Sequence, residues 1–348
     1  TSFWVFRRRG PLNFRKRCSG FMTDIKIDRA VIEVQGACNF DCTMCPQDKR
    51  AGGRHKGFLT KMSLLEFEDN VYDCVQHGLR VVNLDGSGEA TINRNLPEYI
   101  KIVKKYNAQA IIFSNGFRMR GQFMRDCVDA GLDFFRFSFI GPTPELYDKW
   151  MHNTRGSSYE LIKQNVKEMK EYVDQTGSGC VVETYHLITD NDNLEWELDK
   201  YKELVEELGV KTEIWKMHNW SGAWDIGKNA RKGEVKTCGR PFSPDVVIRA
   251  GGLDGQRGAV HPCCQVLGRD EEAVLGHTSQ NTIEEIIRGE EYSALRQAHR
   301  TGDYPDYCKS CDFLLDDPEV LVYTNHDRDL YKMIGTEFDL NDYREVVE

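Results

Sequence analysis

From residue 30 to residue 217 the chain alternates short runs of β-branched and aromatic residues with longer runs of helical apolar spacing. Ala30–Gln35, Arg80–Leu84, Ala110–Phe113, Phe134–Phe139, Cys180–Leu187 and Lys211–Met217 have the length and residue types of strands. The stretches near Ser63–His77, Leu96–Tyr106, Arg118–Ala130, Ser158–Gln175 and Leu194–Leu208 read as amphipathic helices. In the fourth of these, Leu161, Ile162, Val166, Met169 and Val173 fall on one face. Gly78, Gly131 and Gly209 sit just past three helices, where a left-handed residue closes the last turn. Strand–helix units in succession predict a parallel α/β sheet with helices outside it. Six strands are too few for an eight-stranded barrel, so an open, partial (β/α)6 TIM-type barrel is expected.

The rhythm breaks after Trp220, where residues 221–257 turn rich in Gly, Lys and Arg. The expected division is a basic extension over 1–29, the barrel over 30–220, a smaller α+β unit over 221–325 and a tail over 326–348. Thr282–Arg288 and Glu291–His299 read as helices leading to Cys308. A net charge of −9 and a pI near 5.6 argue against a general nucleic-acid or acidic-membrane binder. The exception is the run Arg7, Arg8, Arg9, Arg15, Lys16 and Arg17, which reads as a solvated arm rather than a docking site. No apolar run approaches a membrane span and no hydrophobic segment follows the basic start, so a cytoplasmic location is expected. Twelve cysteines in that reducing compartment call for an account other than disulfides.

Three of them lie in Cys38-Asn39-Phe40-Asp41-Cys42-Thr43-Met44-Cys45-Pro46, on a loop leaving the carboxyl end of the first strand. That is where α/β folds build active sites. Three thiolates are one short of the four that structural zinc sites and clusters normally use, so a metal held here keeps an open position. Zinc sites usually draw cysteines in pairs, and no closing His is near. Three thiols this close cannot all form disulfides. The stretch resembles the CxxxCxxC loop of the radical S-adenosylmethionine (SAM) enzymes, including Phe40, the aromatic residue two before the second cysteine. The resemblance implies that Cys38, Cys42 and Cys45 hold a [4Fe–4S] cluster whose fourth iron is chelated by SAM.

Asp85-Gly86-Ser87-Gly88-Glu89-Ala90 follows the second strand and resembles the family's GGE motif, with Ser87 between the glycines and Ala90 for the frequent proline. The resemblance assigns Gly88 and Glu89 to the methionine ammonium. Taken alone, the segment reads equally well as a tight βα turn. Ser114-Asn115-Gly116 is similar to the family's turn beneath the cofactor, and Ser138 to its ribose and carboxylate contact. Ile140 stands where related enzymes often carry an acidic residue. On the fifth strand Val181, Glu183 and Tyr185 alternate with Val182, Thr184 and His186, and one set must face the barrel interior. Glu183, His186, Lys216 and His218 are therefore candidates for a general base, each open to a structural reading as well.

Cys238, the pair Cys263-Cys264, and Cys308-Lys309-Ser310-Cys311 form the second group. They can supply the four thiolates of a complete iron–sulfur or zinc site. The segment resembles the SPASM/twitch extension of radical SAM enzymes, in its single-cluster version. That implies an auxiliary [4Fe–4S] cluster on Cys238, Cys263, Cys308 and Cys311, with Cys264 spare or a thiol donor. The resemblance implies a radical SAM oxidoreductase, served by an external flavodoxin- or ferredoxin-type electron donor. In it a 5′-deoxyadenosyl radical abstracts hydrogen from a polar small molecule, of aminocyclitol or sugar-alcohol type, and the auxiliary cluster accepts the second electron. Peptide crosslinking or epimerisation is the competing reading. The thirty or so residues before the first strand leave no room for a leader-binding domain, which tilts the expectation toward the small molecule. A non-catalytic iron–sulfur or zinc protein is the reading from another class.

Overall fold

The computed structural model describes residues 25–47, 56–153, 156–315 and 320–326. The basic run near the start and residues 327–348 lie outside them. Strands β1 (Arg29–Ile32), β2 (Val81–Asn83), β3 (Gln109–Ser114), β4 (Phe134–Ser138), β5 (Val181–Ile188) and β6 (Lys211–Lys216) pair in chain order, all parallel. Helices α1 (Leu64–Val75), α2 (Leu96–Lys105), α3 (Gly121–Asp129), α5 (Tyr159–Thr176) and α6 (Leu194–Leu208) fill the crossovers, as the apolar spacing predicts. Local chemistry sets their ends. Ser63 and Glu66 form a reciprocal capping box at the start of α1, and Gly209 closes α6 at φ 62°. One helix escapes the sequence pattern. The short α4 (Pro144–Trp150) rests on Thr143, whose side chain accepts from the Leu146 N–H, and on Pro144 at its first turn.

After β6 the chain does not build a separate sheet. Strand β7 (Asp245–Ile248) pairs parallel with β1 on its free edge, and β8 (Ala259–His261) and β9 (Gly276–His277) continue outward antiparallel. Helices α7 (Ile283–Arg288), α8 (Glu290–Thr301) and α9 (Asp306–Lys309) follow. Strand β10 (Leu321–Thr324) then returns to cover β6 antiparallel, completing a ten-stranded sheet. These added strands run two to four residues. At that length side-chain alternation carries little signal.

Register shows which face of each strand looks inward. Val81, Ile111, Phe134 and Val181 make a small apolar cluster on the concave face, with Phe113 against it. Val82, Ala110, Phe135, Val182 and Ile214 belong to the large core under the helices. Above the inner cluster the concave face is polar. Arg136 pairs across the sheet with Glu183, and its Nη2 lies 2.8 Å from Glu213 Oε2. His326 Nε2 approaches Glu183 at 3.2 Å, and Trp215 donates to Glu213 at 2.9 Å. Buried charges persist when paired in this way.

Candidate active site

The Cys38–Cys45 loop leaves β1 and is held on two sides. Toward α4, the Asp41 and Thr43 N–H groups donate to the carbonyls of His152 and Trp150, each at 2.9 Å, and Cys42 Sγ sits 3.8 Å from Met151 Sδ. Phe40 is buried edge-on against Phe117 at 5.8 Å, and its N–H points to Cys38 Sγ at 3.4 Å. Toward β2, the Glu89 N–H donates to the Ala37 carbonyl at 2.9 Å.

Glu89 is buried and organises this end of the sheet. Its Oε1 accepts from the Thr91 N–H and hydroxyl and from Ser114 Oγ, and its Oε2 accepts from the Asn115 N–H. Oε2 thus keeps one acceptor position for a further donor. Asn115 Nδ2 in turn donates to Asn39 Oδ1 at 3.0 Å and lies 4.0 Å from Cys38 Sγ. Ser114, Asn115 and Glu89 therefore form one network bearing on the first cysteine. Ser138 stands at the carboxyl end of β4, in register with Tyr185. Gly88 has a packing role. A Cβ there would fall 2.0 Å from the Gln35 carbonyl oxygen and 2.8 Å from that of Ala37. Gly88→Ala is expected to displace the backbone entering Cys38. The cost is about 1–3 kcal/mol, read as a lowered denaturant midpoint, and iron bound at this loop should fall with it.

Cys238, Cys263, Cys308 and Cys311 line one cavity together with Ser221, Arg240 and Phe313. Cys264 is not part of that lining. Its sulfur lies 3.6 Å from Arg240 Nη1 and 3.8 Å from Gln265 Nε2. In both sets the thiols resist ionisation. Burial, then the neighbouring thiols and Glu89, hold Cys42 well above the ordinary range. Burial pushes Cys263 up to about 12 against the pull of Arg240, and Cys238 and Cys311 up to about 11.

The acid–base candidates fare differently. His186 points under the helices, not into the barrel. It stacks on Tyr201 at 4.4 Å, accepts from the Gly141 N–H at 3.2 Å and sits 2.9 Å from Glu197 Oε1. Lys216 shares that outer face, being in register with Ile188. Glu183 does face inward but is committed to Arg136 and His326. His218 is buried edge-on to Trp220 at 4.5 Å. Burial and the cations Arg240 and Arg231 lower its pKa to about 3, too weak a base for the task.

The inward residue that the motifs passed over is Asp85. It continues the Val81–Asn83 face of β2, and its Oδ1 is buried without a hydrogen-bond partner. Burial pushes its pKa up to about 7 and Glu89 adds to this, against the backbone N–H groups of Asp85 and Phe113 and the Arg136 guanidinium.

The family model of the Radical SAM superfamily matches residues 32–201, and that of the SPASM iron-sulfur cluster-binding domain matches residues 255–312. The chain is a radical SAM enzyme with a C-terminal SPASM domain. Its cofactors are SAM and iron–sulfur clusters. The radical SAM enzyme is 29% identical over 144 residues to the probable GTP 3′,8-cyclase of Thermococcus kodakarensis, covering 41% of this chain and 43% of that protein. To the GTP 3′,8-cyclase of Tolumonas auensis it is 35% identical over 119 residues, 33% and 34% of the two lengths. The matched stretches span less than half of these relatives.

Among solved structures, BtrN in complex with AdoMet and 2-DOIA aligns with a TM-score of 0.53 at 16% identity, over 83% of this chain and 94% of that one. Streptococcus suis SuiB bound to precursor peptide SuiA aligns at 0.61 and 11%, over 83% and 70%. Native anSMEcpe with bound AdoMet aligns at 0.58 and 13%, over 92% and 99%. At these identities the likeness is one of fold, a partial barrel with a C-terminal SPASM domain. Among the described residues no helix is long and apolar enough to cross a membrane.

Proposed function

We propose that this radical SAM enzyme is an oxidoreductase acting on a polar small molecule, with Cys38, Cys42 and Cys45 holding the SAM-binding cluster. Cys238, Cys263, Cys308 and Cys311 would hold the auxiliary one. Bound at these sets, the groups supply a 5′-deoxyadenosyl radical that removes a hydrogen atom from a substrate carbon, and a second one-electron acceptor. The observation that carries the reading is the cavity lined by four cysteines together. Four thiolates complete a cluster's ligands and leave substrate no iron to bind, which suits an electron acceptor.

The chain's own part is placement and proton handling. Glu89, fixed by Ser114 and Asn115, would receive the methionine ammonium on its remaining acceptor position, with Phe40 and Ser138 flanking the cofactor. Asp85, and not the four candidates read from the strands, would take the proton that leaves with oxidation. Arg136, Glu213 and Glu183 make the concave face of the sheet polar, which fits a hydrophilic substrate such as an aminocyclitol or sugar alcohol. The extensive alignment with BtrN, crystallised with 2-DOIA, points the same way. A peptide remains the second reading, since SuiB was crystallised with its precursor peptide. In that case Cys264, outside the lining of the four-cysteine cavity, would be the thiol donor of an epimerisation.

The test is anaerobic reconstitution with iron and sulfide, then dithionite, SAM and a panel of polyols and aminocyclitols. About eight irons per chain and 5′-deoxyadenosine formed with an oxidised polyol support the proposal; about four irons defeat it. Asp85 adds a pH signature. Its carboxyl must be ionised to accept a proton, so turnover should rise with pH through about 7. Asp85→Asn should lower the rate about 10²–10⁴-fold and flatten that limb. An unchanged profile would remove Asp85 from the role.

A further inference from the structure

The turn just past β6 touches both cysteine sets. On one side, Trp220 Nε1 donates to the Met44 carbonyl at 2.8 Å, one residue before Cys45. On the other, Asn219 is laced to the Cys308–Cys311 turn. Its N–H donates to Asp312 Oδ2 at 3.0 Å, its Nδ2 donates to the Ser310 carbonyl at 2.7 Å, and the Asp312 N–H returns a bond to Asn219 Oδ1 at 3.2 Å. Ser221 lines the auxiliary cavity together with Cys311.

The backbone between these anchors is strained. Trp220 has φ 49° and Ser221 φ 55°, consecutive left-handed conformations in residues that carry a Cβ. Such strain persists where surrounding contacts over-determine it. The contact is seconded nearby. Gly268, at φ 89°, lets the loop after Cys263 lie against the first set, since a Cβ there would fall 2.7 Å from Pro46 Cβ and 2.9 Å from Ala223 Cβ. His218 packs edge-on against Trp220 and within 5.9 Å of Phe313, a wall of the auxiliary cavity.

We propose that Trp220 is a positioning residue that couples the two sites, so that filling the auxiliary cavity tightens SAM binding at the Cys38–Cys45 loop. The inference rests on reading both cysteine sets as cluster sites. A filled cavity fixes the Cys308–Cys311 turn, and through Asn219 the strained pair that follows it, which presents the indole N–H to Met44. An empty cavity frees the Cys308–Cys311 turn and its hold on Asn219, the pair relaxes, and the loop loses its donor on the side opposite α4. The coupling is reciprocal, as any linkage between two binding sites must be.

The experiment is a double-mutant cycle on reconstituted protein, read as SAM affinity by anaerobic equilibrium dialysis and as the change SAM induces in the first cluster's electron paramagnetic resonance spectrum. Neither readout needs turnover. Removing the auxiliary set by Cys308→Ala with Cys311→Ala should weaken SAM binding about 5- to 100-fold. Trp220→Phe, which keeps the ring and loses the N–H, should weaken it while retaining wild-type iron. Combining the changes should add little beyond the larger one, the mark of a shared route. Additive losses would overturn the proposal. So would unchanged SAM affinity after removal of the auxiliary set, a comparison that does not depend on the Trp220 variant folding. An iron count near four in the wild type sinks the two-cluster reading and the coupling with it; a count near eight with independent sites sinks the coupling alone.

Discussion

Cys42→Ala is expected to abolish reductive cleavage of SAM while leaving roughly half of the bound iron in place. The loop offers three thiols and no fourth protein donor in the motif, so each is indispensable for holding a cubane with one iron free. Cys42 is the middle thiol of the three. Its neighbours at 41 and 43 are pinned to the end of α4 by backbone hydrogen bonds, and its sulfur packs on Met151. The substitution removes a donor from a loop whose pose is set independently of it, so the fold should survive. The iron count should fall from about eight to about four per chain, with the auxiliary spectrum intact. No 5′-deoxyadenosine should form under dithionite. Cleavage persisting at a measurable fraction of the wild-type rate would mean that another residue completes the ligand set.

Cys308→Ala separates the two halves of the chemistry. The first loop keeps its three thiols, so 5′-deoxyadenosine should still form, at higher SAM concentration if the coupling through Trp220 holds. Oxidised product should not accumulate, because the electron left after hydrogen abstraction has no acceptor. Cys308 stands at the opening of the CxxC turn, where burial and the nearby Cys263 and Cys311 push its thiol pKa up. Losing it leaves three thiols around a cavity that four line in the wild type. The measurement is the ratio of 5′-deoxyadenosine to oxidised product, near one in the wild type and rising steeply in the variant. A ratio that stays near one would refute the electron-acceptor role.

The sites were legible in the chain to different depths. The cysteine spacings pointed to both metal sets, since ligand number and loop length are properties of the covalent sequence. The glycine turn after β2 was legible too, although its glycine proved to serve close backbone packing against residues 35–37. Asp85, the proposed proton acceptor, was not legible. Alternation along β5 defines two faces, but in a strand covered on both sides each face carries apolar residues, and nothing local says which is concave. The structure turns Val181, Glu183 and Tyr185 inward and sends His186 beneath α6, where Glu197 and Tyr201 hold it.

The six parallel strands with the five longer helices between them, and the two sets of thiols, follow from the chain read on its own. They depend on periodicity and spacing, which are local. Tertiary structure alone decided which of Cys263 and Cys264 enters the cavity, because adjacent side chains diverge and only the surrounding walls select between them. It also decided that one carboxylate oxygen of Asp85 is buried without a partner and that the indole of Trp220 reaches the carbonyl beside Cys45. Both are contacts between segments far apart in sequence, and their energies arise only once the sheet has brought those segments together.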